Sequence, residues 1–78
     1  MGPGAAAGVP ALIDALKAND SNIRKLAATV LGEIGPAAKG AVKALIVALR
    51  DRDRSVRRET ARALKQIDPE AAKRAGIP

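Results

Sequence analysis

Three prolines, Pro3, Pro36 and Pro69, stand 33 residues apart, and each lies in a small-residue segment. The fullest copy is Ile34-Gly35-Pro36-Ala37-Ala38-Lys39-Gly40, with Gly2-Pro3-Gly4-Ala5 before it and Ile67-Asp68-Pro69-Glu70-Ala71 after it. A fixed period of about 20 to 50 residues marks a unit that cannot bury its apolar face alone and does so by stacking on a copy of itself. The period therefore predicts a solenoid before any single residue is considered.

Between the prolines the pattern is helical. Val9, Leu12, Ile13 and Leu16 recur at helical spacing, with Pro10 in the first turn, where its missing N–H costs nothing. Asp20 then stands where an N-cap belongs, and Ile23, Ala27, Leu31 and Ile34 form a stripe that ends at Gly35. The plan returns 33 residues later, with Val42, Leu45, Ile46, Leu49 and Asp53 on the same register and a second stripe of Val56, Thr60, Leu64 and Ile67. Arg24 also pairs with Arg57, and Ala28 with Ala61. Helices are expected near 9–17, 21–34, 41–50, 54–67 and 69–75, giving a first repeat over 9–40, a second over 41–67 and a C-terminal cap over 68–78. Residues 1–8 read as a leader or as the remnant of a preceding repeat, and the chain as a C-terminal fragment of a longer solenoid.

Composition agrees with thin layers rather than one thick core. Of the 47% hydrophobic residues in this 78-residue chain, 18 are Ala, with no Phe, Tyr or Trp. Alanine lets helices approach closely at low entropic cost. With no Cys and no His, disulfides, thiolate chemistry, Cys/His zinc sites and an imidazole base are all excluded. No signal-like or membrane-length apolar run occurs, so a soluble, cytoplasmic protein without cofactor or metal is expected. Of the net charge of +6, +5 comes from residues 40–78, which hold ten of the 14 Lys and Arg against five of the eight Asp and Glu.

The run Val9-Pro10-Ala11-Leu12-Ile13-Asp14-Ala15-Leu16-Lys17, followed by Asp20, Ile23-Arg24 and Leu31-Gly32-Glu33-Ile34-Gly35, resembles a HEAT repeat of the short bacterial and archaeal type also found in phycobilisome lyases. Val42 to Ile67 resembles the next one. The resemblance implies an α-solenoid of two HEAT-like helical hairpins plus a short C-terminal capping helix, and a structural Asp/Arg ladder formed by Asp20, Arg24, Asp53 and Arg57. The second copy departs at Asp68, which replaces the final Gly, and at Lys65, which replaces Gly32. In the first copy Leu26 and Val30 stand where the family usually has Ala.

No catalytic constellation emerges. Ser21 and Ser55 lie in first helical turns without a base, and Asp14, Glu33, Glu59 and Glu70 fall on solvent faces with nothing bringing two together. One basic set remains: Arg58, Arg62 and Lys65 on one helix, with Lys25 at the matching place in the first repeat, on the side that lines the concave surface of HEAT solenoids. An apolar edge, Val9, Leu12, Ile13, Leu26 and Val30 with the outward Val47, is expected to mediate self-association, a dimer being the simplest closed form. The expected function is a non-enzymatic protein-interaction or self-assembly module. The alternatives are a small basic module binding nucleic acid or another polyanion, and an accessory subunit of a lyase.

Overall fold

The computed structural model describes residues 7–78. The remnant expected at the start of the chain falls largely outside the described residues. Among the described residues five α-helices follow one another: α1 (Val9–Ala15), α2 (Ser21–Ile34), α3 (Val42–Ala48), α4 (Arg54–Ile67) and α5 (Pro69–Arg74), with a 3₁₀ segment, Gly35–Ala41, between α2 and α3. Among the described residues there is no strand. The short helices end earlier than the pattern suggests because their last turns tighten to i→i+3 bonds. Lys17 N–H donates to the Asp14 carbonyl at 3.0 Å, and its counterpart Arg50 N–H to the Val47 carbonyl at 3.1 Å.

The long helices start where their aspartates allow. Asp20 Oδ1 accepts from the Asn22 N–H at 2.8 Å, and Asp53 Oδ1 from the Ser55 and Val56 N–H groups at 2.8 and 3.2 Å. Both caps hold extended backbone, which keeps the side-chain oxygen over the free N–H groups of the first turn. α2 stops at Gly35, whose φ of +76° is open to glycine at little cost and strained for other residues. At the matching place Asp68 takes a different course: its backbone is extended (φ −153°) and its carboxylate accepts from the Ala71 N–H at 3.1 Å, so it caps α5 directly.

Helices α1 and α2 form one hairpin and α3 and α4 a second, stacked chiefly through α2 against α4. Leu31, Leu45 and Leu64 are fully enclosed, surrounded by Ala27, Ala28, Ala41, Ala48 and Ala63. The small side chains set the spacing of the layers, most sharply at Gly32. A Cβ there would lie 2.9 Å from the Ala63 Cα and collide with Gln66 Oε1, so α4 rests directly on the α2 backbone. Lys65, the counterpart of Gly32 on α4, is exposed. The second stripe is buried as expected at Val56, Thr60, Leu64 and Ile67. The first is buried at Ala27 and Leu31 and half-buried at Ile34, whereas Ile23 is 47% exposed.

Candidate protein-interaction site

The joint between the hairpins fixes the geometry of every surface near it. Arg24, on α2, reaches across to the loop before α4 and donates from Nε to Asp51 Oδ2 at 2.7 Å and from Nη2 to Asp51 Oδ1 at 3.2 Å. Its Nη1 donates to the Ala18 and Asn19 carbonyls at 2.7 and 3.0 Å. Both side chains of the pair are nearly enclosed. The hydrogen bond from Arg24 holds the Asp51 carboxyl below its ordinary value against the opposing effect of burial, and Asp51 in turn raises the Arg24 pKa.

This corrects the expected ladder. Asp20 and Asp53 are helix caps whose carboxylates face backbone N–H groups, and neither pairs with an arginine. The acid of the joint is Asp51, which the sequence reading passed over. Its signal was a break in the repeat: Asp51 stands where the first hairpin has Ala18. Arg57 copies only half of the Arg24 pattern. Its Nη1 donates to the Asp51 carbonyl at 2.7 Å, as Arg24 does to Ala18, but among the described residues no carboxylate pairs with it.

The open side of the first hairpin becomes plain on comparing matched positions. Leu45, Val56 and Ala63 are almost wholly buried in the stack, whereas their counterparts Leu12 and Val30 are half-buried and Ile23 is exposed. Leu26 is the extreme case at 62% exposure. Its counterpart Glu59 faces α2, where Thr29 Oγ1 donates to Glu59 Oε1 at 3.2 Å. The same stacking position is therefore polar where it has a neighbour and apolar where it has none. Ile13 is half-buried and packs against the core.

Two members of the expected edge are placed differently. Val9 is only 7% exposed and belongs to the core, because the first turn of α1 folds inward. Val47 is 73% exposed but lines a groove between α3 and the end of α1, so the edge divides into two surfaces. The basic set Lys25, Arg58, Arg62 and Lys65 is exposed throughout. At 3.6 residues per turn the three cations of α4 fall within an arc of roughly 60°. Arg62 also borders a cleft shared with Glu33 and Glu59, so carboxylates flank the ridge on its α2 side.

Among the described residues no group of three or more acidic side chains gathers in a way that could hold a metal ion. No described helix is long and apolar enough to cross a membrane. What the molecule offers is surface: two antiparallel helical hairpins in register, the architecture of an α-solenoid. The family model for HEAT repeats matches residues 8–75, and the chain belongs to that family. Comparison with curated proteins and with solved structures finds no match. HEAT repeats generally mediate protein–protein interaction, and the exposed faces are the means available for it here.

Proposed function

We infer that this chain is a non-enzymatic assembly module and that the open face of its first hairpin, centred on Leu26 with Ile23 and Val30, docks a second copy of the same chain. The observation that carries this reading is the 62% exposure of Leu26 at a position where the matching residue of the second hairpin, Glu59, is half-buried and bonded to α2. Large apolar side chains gathered on one face favour removal from water by a partner.

The opposite face argues for a two-fold contact rather than a head-to-tail stack. In such a stack Lys65 would occupy the place where Gly32 lets the next helix sit within van der Waals reach of its backbone. Ala18 would likewise stand where the joint needs the carboxylate of Asp51. A heterologous contact thus loses both its close approach and its ion pair, whereas an isologous one matches apolar face to apolar face. Replacing Leu26 by Glu tests the reading: helical content is retained and the mass in light scattering falls from dimer to monomer. A mass that Leu26→Glu leaves unaltered contradicts it.

The exposed Arg58, Arg62 and Lys65 support a second reading, a contact with nucleic acid or another polyanion. Such binding weakens steeply between low and physiological salt and is abolished by charge reversal at these residues. Binding that ignores both salt and charge reversal rules it out.

A further inference from the structure

The groove between α3 and the C-terminal end of α1 is distinct from the open face of the first hairpin, and nothing in the fold accounts for its composition. It has a volume of about 530 Å³, within the usual range of ligand-binding clefts. Its floor is apolar, made by Leu16, Ala44, Val47 and Ala48, and its rim carries Lys17, Lys43 and Arg50. The single carboxylate that lines it, Asp51, is already committed. Its Oδ2 accepts from Arg24 Nε at 2.7 Å, and its Oδ1 from Arg24 Nη2 at 3.2 Å and from the Asp53 N–H at 2.9 Å. The three rim cations are therefore not balanced from within the groove.

The repeat register shows that this is no requirement of the hairpin. Val47 and Lys43 stand where the first hairpin has Asp14 and Pro10. A solvent-facing acid is thus replaced by a valine that is 73% exposed, and a helix-starting proline by a cation beside it. An apolar floor within a ring of positive charge is complementary to an aliphatic side chain flanked by carboxylates.

We propose that this groove binds a short acidic segment of another protein, seating one or two large aliphatic side chains on Val47, Ala44 and Leu16 while flanking carboxylates meet Lys17, Lys43 and Arg50. A second copy does not supply such a segment. Among the described residues the exposed large apolar side chains are Ile23, Leu26, Ile46 and Val47, and none is adjacent in the chain to a carboxylate. Ile23 and Leu26 instead adjoin Arg24 and Lys25.

Fluorescence anisotropy with a labelled short peptide carrying leucines one helical turn apart between glutamates tests the proposal. Saturable binding is expected, weakened about tenfold or more by Val47→Asp through the lost apolar contact. Lys43→Glu is expected to weaken it comparably through like-charge repulsion. Both substitutions are on the surface, and circular dichroism verifies that the fold persists. A peptide with serines in place of the leucines is expected to bind at least about tenfold more weakly. Leu26→Glu leaves the affinity unchanged, which separates this site from the assembly face. The proposal is overturned by absence of saturable binding, by equal affinity of the serine peptide, or by indifference to both Val47→Asp and Lys43→Glu. It is also overturned if Val47→Asp alters the mass of the protein without peptide, since the groove would then be filled by a second copy.

Discussion

Arg24 and Asp51 close the joint between the two hairpins with a two-pronged ion pair, Nε to Oδ2 at 2.7 Å and Nη2 to Oδ1 at 3.2 Å. The contact joins residues 27 positions apart, and the same arginine ties down the Ala18 and Asn19 carbonyls of the first loop. One side chain thereby orients both loops on that end of the stack.

Asp51→Asn is expected to lower the urea midpoint more than Arg57→Gln, because Arg57 is exposed and pairs with no carboxylate among the described residues. The pH dependence has a definite sign. The pKa of Asp51 is depressed in the folded state, first by the Arg24 hydrogen bond. Its contribution is therefore complete above the unfolded value of about 3.9 and is lost as pH falls through the lower folded value. Wild-type stability should drop below about pH 4 more steeply than that of Asp51→Asn. With no histidine in the chain, both proteins should be nearly insensitive to pH between about 5 and 8. Urea titrations at several pH values measure this, and parallel acid profiles would show that the pair contributes nothing.

Gly32→Ala tests the layer spacing. In an open helix this substitution stabilises by up to about 1 kcal/mol. Here the new Cβ meets the Ala63 Cα at 2.9 Å, and overpacking of this kind costs about 1–3 kcal/mol, so a net loss of stability is expected. Lys65→Ala, at the matching place on α4, should leave the urea midpoint unchanged because its side chain is exposed. A gain in stability from Gly32→Ala would contradict the close approach of α2 and α4.

Much of this fold was legible in the chain. The 33-residue register located both hairpins, and Asp20, Asp53 and Gly35 marked helix ends by chemistry that acts within a few residues. What escaped depended on which copy has a neighbour. Ile23 and Val56 are equivalent by register, yet one is 47% exposed and the other enclosed, because burial in a stack is decided by the adjacent layer. Asp51 was missed for a related reason: its partner Arg24 lies in the other hairpin, so only the substitution of Ala18 by Asp51 pointed to it. The exposure of Arg58, Arg62 and Lys65 was readable because it follows from the stripe on the same helix, while the acids bordering Arg62 come partly from α2.

Thr60 carries the opposite expectation to most core substitutions. Its side chain is fully enclosed and its hydroxyl has no hydrogen-bond partner. An unsatisfied buried hydroxyl costs about 1–3 kcal/mol, so Thr60→Val, which keeps the branched shape, should stabilise by about 1 kcal/mol. Thermal or urea unfolding measures the change. A loss of stability would mean that the hydroxyl is satisfied in solution.

We propose that the open face of the first hairpin is covered by a second copy. Folding coupled to association makes stability depend on protein concentration, whereas the unfolding of a monomer does not. The most direct measurement is the melting temperature over a dilution series of about a hundredfold, with the mass determined by light scattering at each step. A dimer mass at the higher concentrations and a melting temperature that falls on dilution are expected. Leu26→Glu is expected to abolish both effects. A monomer mass throughout, with a melting temperature that does not move, would contradict the proposal.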